Sequence, residues 1–357
     1  GDGALTLVTD PPGATVELWT YREQARRLVP VDPIDLGPTP IVARAVPFGS
    51  YVAVIRCPGR MDVRYPVWIE RGAHWDGVPP GGTEPEPVWL PPEGALGPGE
   101  VYVPAGPFRS GGDVVLVAPP VRRWCPAVVV ARHPVTLREY LVFLDALVAS
   151  GRSDEAELRA PQQLAAAGRG APVCERGPDG RYRLVPDTDG EVWDLDWPVM
   201  QVDWWGARAY LEWWAERTGR RWRLPGEYEW EKAARGVDGR IFPWGDRFDP
   251  SWACMTDSHA GDRAPARVGG FPVDESPYGV RGVAGNVQQW CLERLDRPAD
   301  PDPVPEPSEG ALDPRALRMV RGGAWALDAR YARSAGRARL EAFVRTTTVG
   351  FRGAWRP

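Results

Sequence analysis

The amino-acid sequence predicts a loop-rich α+β protein that begins with a small all-β sandwich. Short alternating strands between Gly and Pro turns occupy residues 1–78, whereas amphipathic helical patterns occur only in the later part of the chain. The 357 residues include 40 Gly and 40 Pro, a composition that favours turns and irregular backbone. We therefore predict an all-β domain over 1–78, a Pro/Gly-rich linker over 79–99 and a larger α+β domain over 100–357.

The first domain contains four segments that alternate apolar and polar residues. The predicted strands are Ala4–Val8, Thr15–Trp19, Tyr51–Ile55 and Pro66–Ile69. Strands of this length between tight turns indicate a sandwich. The landmarks Pro12–Val16, Gly37–Pro40 and Gly49–Tyr51 with Gly59 resemble the PEGA repeat domain, a small β-sandwich often attached to signalling or surface proteins. That resemblance implies an adaptor or spacer.

Three helices are predicted in the larger domain. Thr136 is a good N-cap, and Glu139 three residues later completes a capping box. A second helix is expected from Asp203 to Arg217, and a short third helix follows Pro225. Residues 151–190 are predicted to form a polar insertion. Residues 236–357 are predicted to be rich in turns, and within them residues 297–314 are predicted to form a Pro/Asp/Glu-rich surface loop.

Five short motifs follow one another in the C-terminal half. They are WRLPGE (Trp222–Glu227), FPWGD (Phe242–Asp246), GNVQQW (Gly285–Trp290), RGGAW (Arg321–Trp325) and GFR (Gly350–Arg352). In this order they resemble the formylglycine-generating enzyme (sulfatase-modifying factor) family, over about residues 100–357. The resemblance implies the loop-rich C-type-lectin-like fold of that family.

No cysteine lies between Arg321 and Gly350. In the oxidase members this segment holds two cysteines that bind copper(I), with a serine near the first; soft thiolates suit that ion. An ungapped alignment puts Ala324 at the serine position and places the cysteine positions near Leu327 and Ala332. These side chains do not bind copper. Formylglycine-generating activity is therefore not expected, and no catalytic residue is assigned.

An alternative is a metal-dependent oxidase of the same superfamily with relocated ligands. Cys254 and Cys291 would have to converge on a copper site, although a buried thiol more often packs as a small apolar side chain. The iron-dependent sulfoxide synthases of the superfamily use histidines. This chain has only His74, His133 and His259, without a His-x-x-x-His spacing.

Calcium is common in the family's fold, where hard oxygen donors hold it. The usual acidic ligand position is Gln289 here, and the usual asparagine position is Gly282, so calcium binding should be weak. The acidic run from Asp187 to Asp196 does not match an EF-hand, because Gly190 is at the wrong offset. No metal ligand and no cofactor are assigned, and calcium remains the one candidate ion.

Amino-acid composition limits the classes of binding partner and the cellular compartments that we expect for this protein. The formal net charge of −5 gives no case for nucleic-acid binding, and no apolar run is long enough for a membrane segment. Five scattered cysteines form no disulfide framework, which favours a reducing, cytoplasmic location. No signal peptide is recognisable. Because the chain begins at Gly1 without Met, we expect it to be a piece of a longer protein, in which a kinase domain, an anchor or a signal upstream would not be visible here.

The last 43 residues, 315–357, are strongly basic, with ten arginines against Asp328 and Glu341. Four of these arginines match family positions and are expected to be structural: Arg321, Arg333, Arg337 and Arg352. The residues between 326 and 348 that match no motif resemble a recognition site, since Tyr, Arg and Phe are typical of binding surfaces. The candidate ligand-binding residues are Trp325, Asp328, Arg330, Tyr331, Arg339, Glu341, Phe343, Arg345 and Thr347.

The leading hypothesis is a pseudoenzyme that presents residues 326–348 to a protein or peptide. The family resemblances imply association with a bacterial Ser/Thr kinase, with the PEGA-like domain positioning the recognition domain. The C-terminal layout also resembles the variable proteins of diversity-generating retroelements. A third interpretation is a purely structural domain, which predicts no ligand and a segment that tolerates substitution.

Overall fold

The computed structural model describes residues 2–112, 118–165, 168–259, 261, 263–294 and 315–357. The predicted surface loop 297–314 therefore lies outside the described residues. Across those ranges, the four helices are all too short or too polar to cross a lipid bilayer.

The N-terminal part consists of strands. They are β1 (Asp2–Leu7), β2 (Thr9–Asp10), β3 (Thr15–Gln24), β4 (Arg27–Pro38), β5 (Ile41–Pro47), β6 (Gly49–Arg56), β7 (Val63–Ile69), β8 (His74–Trp75) and β9 (Val88–Trp89). One antiparallel sheet has the order β4-β3-β6-β7, a second has the order β5-β1-β8, and β2 pairs with β9. Strand β4 was not predicted from the sequence, because it contains three prolines and a glycine. It is an edge strand, where missing N–H donors are tolerated.

The two parts of the chain share one hydrophobic cluster. Leu5, Val16 and Ile55 of the N-terminal sheets pack in the same cluster as Phe108 and Val237 of the larger part. The predicted linker 79–99 contributes buried side chains to this cluster as well, so it is packed rather than free along much of its length. Its role as a domain boundary stays a prediction.

Polar contacts also cross between the two parts. The Leu28 N–H donates to the Trp244 carbonyl at 2.7 Å, and Ser50 Oγ donates to the Asp238 carboxylate at 2.6 Å. The β3–β4 turn, where Ala25 and Arg26 have positive φ, brings Arg26 within 3.0 Å of Asp249. This hairpin therefore lies against the FPWGD region.

The larger part has short strands in several small sheets. They are β10 (Glu100–Val103), β11 (Gly106–Ser110), β12 (Val121–Cys125), β13 (Val128–Ala131), β14 (Gln162–Ala165), β15 (Gly168–Pro172), β16 (Cys174–Arg176), β17 (Tyr182–Leu184), β18 (Gln288–Arg294), β19 (Leu317–Arg321), β20 (Arg337–Glu341), β21 (Val349–Gly350) and β22 (Ala354–Trp355). The sheets relevant to function are β20-β19-β18-β21 and β10-β13-β22, whose last strand brings the C-terminus back beside β13.

Four helices lie in the described residues of the larger part: α1 (Leu137–Ala149), α2 (Ser153–Arg159), α3 (Trp204–Thr218) and α4 (Glu227–Arg235). The predicted capping box of α1 is present: the Glu139 N–H donates to Thr136 Oγ1, and the Thr136 N–H donates to Glu139 Oε2. Helix α3 begins after Asp203 and ends at Gly219, whose φ of 67° suits a residue without Cβ. The predicted polar insertion contains helix α2 and two hairpins, β14–β15 and β16–β17, so its described residues have regular secondary structure.

Candidate functional site

The candidate site is built on the RGGAW motif, which leaves β19 and crosses the GNVQQW motif. Both glycines allow a close backbone approach: a Cβ at Gly323 would lie 2.3 Å from the Ala284 carbonyl oxygen, and one at Gly322 2.8 Å from that of Val283. The Trp325 N–H donates to the Asn286 carbonyl at 2.9 Å. These contacts hold the start of the segment 326–348 against the core and so fix the point at which this segment reaches the protein surface.

The two positions aligned with copper-binding cysteines point into apolar surroundings. Ala332 is fully buried in a cluster with Phe242, Trp244 and Met255, and Leu327 packs against the same cluster. Ala324, at the serine position, is also fully buried. Methyl and isobutyl groups offer no ligand to copper(I), so these residues do not fit the ion.

Asp328, Arg330 and Tyr331 form an exposed turn after this cluster. The Arg330 guanidinium donates to both carboxylate oxygens of Asp328, at 3.0 and 2.7 Å, and its side chain is 79% exposed. Hydrogen bonds from Arg330 lower the pKa of Asp328. Tyr331 is half-buried against the apolar cluster, so the turn presents a neutral ion pair beside a tyrosine ring.

Arg339, Glu341 and Phe343 lie on or just after the edge strand β20. Arg339 is exposed and pairs in register with Met319 of β19, while Glu341 is half-buried. Phe343 is 38% exposed, next to the fully buried Ala342. In the described part of the chain, no strand pairs with the outer side of β20.

The remaining three predicted residues make internal contacts. Trp325 Nε1 donates to the Thr347 carbonyl at 2.7 Å, which joins the two ends of the segment. Arg345 donates to Asp203 Oδ2 through Nε and Nη2, at 2.9 and 2.6 Å, and its side chain is only 6% exposed. Arg345 thus ties the segment to the N-terminus of α3 and is not available on the surface.

Three of the four arginines expected to be structural have the predicted role. Arg321 is fully buried and donates to Glu231, Arg337 donates to Glu227, and Arg352 donates to Gln289. Arg333 differs. It lines a cavity of about 590 Å³ with Arg109, and neither guanidinium forms an ion pair within the described ranges. The motif position of Arg333 predicted a structural role and gave no sign that this half-buried side chain lines a cavity.

The position considered for calcium is fully occupied by internal hydrogen bonds. Gln289 Oε1 accepts from Trp230 Nε1 at 2.7 Å and from Arg352 Nε at 2.6 Å, while its amide donates to the Gly282 carbonyl. A side chain with both ends engaged in this way has no oxygen lone pair directed at an ion.

The two cysteines considered as relocated ligands are buried and lie in different surroundings. Cys291 packs in a cluster with Trp230 and Met319, whereas Cys254 Sγ lies 3.5 Å from His259 Nε2. Burial raises the pKa of the Cys254 thiol to about 12 and that of Cys291 well above its usual value, so both are protonated near neutral pH. No group of three or more His, Cys, Asp or Glu side chains forms a metal-binding arrangement among the residues described.

A family model and two curated relatives place the larger part of the chain in the same family. A model described as the sulfatase-modifying factor enzyme 1-like domain matches residues 90–357. The chain is 32% identical over 198 residues to the formylglycine-generating enzyme of Mycobacterium tuberculosis, covering 50% of this chain and 62% of that protein. It is 34% identical over 140 residues to the inactive C-alpha-formylglycine-generating enzyme 2 of Bos taurus, covering 37% of this chain and 39% of that protein. The chain therefore spans less than two thirds of either curated relative.

A solved structure has the same fold. PvdO from Pseudomonas aeruginosa aligns over 72% of this chain and 94% of its own length, with a TM-score of 0.52 and 23% identity.

Proposed function

The chain belongs to the sulfatase-modifying factor enzyme 1-like family, and we propose that this member is a non-catalytic module that binds a protein or peptide. One observation carries the proposal. The positions aligned with the copper-binding cysteines hold Leu327 and Ala332, both packed against one apolar cluster. The scaffold is thus retained without the donor atoms that the oxidase chemistry needs.

The proposed binding surface has two parts. The first is the turn formed by Asp328, Arg330 and Tyr331, and the second is the edge strand β20 with Arg339 and the following Phe343. An exposed strand edge can add an extended peptide through main-chain hydrogen bonds, while neighbouring side chains give specificity. Arg345, Trp325 and Thr347 support this surface from inside and do not contact the partner.

The cavity of about 590 Å³ lined by Arg109 and Arg333 forms a groove beside this surface, and its charge favours an acidic partner. The two other arginines in its wall pair with buried carboxylates, Arg240 with Asp238 and Arg235 with Glu231, which Arg321 shares. Asp246, at the rim, is the one opposing charge among the other lining residues. A carboxylate side chain of the partner would find two planar donors in this groove.

Affinity capture with a matched control tests this surface. The variant R330A/R339A/F343A removes three exposed side chains, and R22A/R183A/F48A removes a comparable set elsewhere. Proteins captured from a lysate of the source cells by the wild-type chain and by the control, but not by the first variant, would support the surface. Equal capture by all three folded proteins would reject it.

The rival function is a metal-dependent oxidase with relocated ligands. Elemental analysis after anaerobic incubation with copper(I) or iron(II), followed by oxygen uptake with a cysteine-containing peptide, separates the two proposals. We expect neither stoichiometric metal nor oxygen consumption. One bound copper or iron with turnover would overturn the binding-module proposal. Calcium counted in the same analysis tests the weak site considered at Gln289.

We further propose that the N-terminal strands are a PEGA-like adaptor that positions the larger part beside a cytoplasmic Ser/Thr kinase. The shared core and the hydrogen bonds between the two parts support a fixed arrangement, and the five free cysteines suit a reducing compartment. Cell fractionation and kinase co-purification test these points. Sequencing the segment that encodes residues 326–348 across isolates tests whether it is diversified.

A further inference from the structure

A second cavity lies away from the proposed binding surface. It has a volume of about 470 Å³ and opens between β12, the start of α4 and the end of β18. Most of its wall area is apolar or aromatic, including Trp124, Tyr228 and Leu292. Its charged lining residues are Arg122, Arg123, Glu229, Glu293 and Arg356. A cavity of this size with largely apolar walls is typical of a small-molecule site.

Glu293 lacks a cationic partner. Its Oε2 accepts a hydrogen bond from the Glu227 N–H at 2.6 Å, at the first turn of α4, and no ion pair joins it to an Arg, Lys or His in the described residues. Oε1 approaches the backbone so closely that a Cβ at Gly226 would lie 2.7 Å from it. The carboxylate is therefore held in place against the backbone, without a countercharge.

The charged groups around Glu293 have other partners or lie in solvent. Glu229 pairs with Arg223 through two hydrogen bonds of 2.7 Å and lies 3.6 Å from Arg356, while Glu227 pairs with Arg337. On β12, the Arg123 guanidinium stacks over Tyr228 at 4.2 Å, and Arg122 lies at the exposed rim. On β18, the neighbouring Cys291 thiol is protonated, since burial raises its pKa. Burial and the Glu227 charge raise the pKa of Glu293 to about 8.

We propose that this cavity binds a small organic amine, whose ammonium group pairs with Glu293 and whose apolar body packs against Trp124, Tyr228 and Leu292. A cation would supply the countercharge that Glu293 lacks and would offset the repulsion from Glu227. An aromatic or aliphatic body of a few carbons matches the walls. The site uses none of the residues 326–348, so it is independent of the proposed protein-binding surface.

Calorimetric titration with 2-phenylethylamine and with the neutral 2-phenylethanol tests the proposal. The amine stays protonated between pH 6.5 and 8.5, as a lysine does, whereas the ionised fraction of a carboxyl with a pKa of about 8 rises roughly 25-fold over that range. We expect the affinity for the amine to rise by about that factor and the affinity for the alcohol to stay constant. Equal binding of both probes at each pH would overturn the proposal.

Variants assign the effect to the cavity. Glu293→Gln still accepts from the Glu227 N–H but carries no charge, so the preference for the amine and its pH dependence should both disappear. Trp124→Ala should weaken both probes. The control Glu216→Gln removes an exposed carboxylate of α3 and should behave as wild type. If Glu293→Gln is folded and keeps the pH-dependent amine preference, the assignment to Glu293 is wrong.

Discussion

At the residue scale, the single lysine of the chain is the most unusual side chain. Lys232 is 1% exposed, and its Nζ donates to the carbonyls of Pro104 and Gly106 at 2.6 and 3.1 Å, with that of Cys125 at 3.5 Å. It thus joins α4 to the β11–β12 region without a carboxylate partner. Burial lowers its pKa to about 8, because three neutral carbonyls replace water only in part.

Replacing Lys232 by Met therefore has a pH-dependent effect. The pKa of Lys232 in the folded protein is below its value of about 10.4 in the unfolded chain. Between pH 8 and this value the unfolded chain therefore binds more protons than the folded protein. As a result, the free energy of unfolding of the wild type increases as the pH rises through 8. Urea unfolding at pH 7, 8 and 9 measures the free energy of unfolding of the wild type and of Lys232→Met. The value for the wild type minus that for the variant should increase with pH, by at most about 1.4 kcal/mol per pH unit. A constant difference, or one that moves the other way, would contradict a lowered pKa.

Leu327 and Ala332 permit a gain-of-ligand test at the same scale. Both pack against one cluster, so the variant L327C/A332C places two thiols in the region where the oxidase members bind copper. We expect one copper(I) per chain in the double variant under anaerobic conditions and none in L327C or A332C alone, measured by elemental analysis after desalting. Failure of the folded double variant to retain copper would show that these positions do not correspond to the family's ligand pair.

At the element scale, the segment 326–348 is attached to α3 by a buried ion pair. Asp203 is the N-cap of α3, where Oδ1 accepts from the Gly206 N–H, and its other oxygen accepts two bonds from Arg345. The same carboxylate therefore starts a helix and anchors a loop. The Asp328–Arg330 pair is equally well aligned but lies in water, where screening makes it weak.

Alanine substitution should separate these two pairs. Arg345→Ala leaves Asp203 buried without its cation and should lower the free energy of unfolding by about 3 kcal/mol. Arg330→Ala should lower it by less than about 1 kcal/mol. Denaturant unfolding at one pH measures both values. Similar costs for the two variants would show that Arg345 is more accessible than the structure indicates.

At the scale of the whole molecule, the N-terminal sheets and the larger part form one packed unit. The shared cluster and the hydrogen bonds at Leu28 and Ser50 join the N-terminal sheets to the larger part, which also has a separate hydrophobic cluster of its own. Removing the N-terminal strands would expose apolar side chains such as Phe108 and Val237. We therefore expect the chain to unfold as one cooperative unit.

Phe108→Ala tests this cooperativity, since the side chain belongs to β11 but packs with the N-terminal cluster. The cavity should cost about 3–5 kcal/mol. Hydrogen–deuterium exchange should show lower protection in β6 and β7 of the N-terminal sheet as well as in β10 and β13. Loss of protection confined to the larger part would indicate two independently folding units.

Local signals predicted much of the fold. The capping box at Thr136 and the apolar stripe after Asp203 depend on neighbours within one or two turns, and both helices are present. Strand β4 was missed because its prolines argue against a strand unless it lies at an edge, and edge position is a property of the sheet. The helix and hairpins within residues 151–190 were missed because their pattern is polar and short.

What the sequence alone determined was the family and the missing thiols: ordered motifs and the absence of cysteine between Arg321 and Gly350 are properties of the chain itself. Tertiary structure decided which candidate residues face solvent. Arg330 and Arg345 have the same chemistry and similar spacing from motifs, yet one is exposed and the other is buried against Asp203. The missing countercharge at Glu293 and the position of Arg333 in a cavity wall likewise depend on residues far away in the chain, because burial and pairing are set by contacts between distant segments.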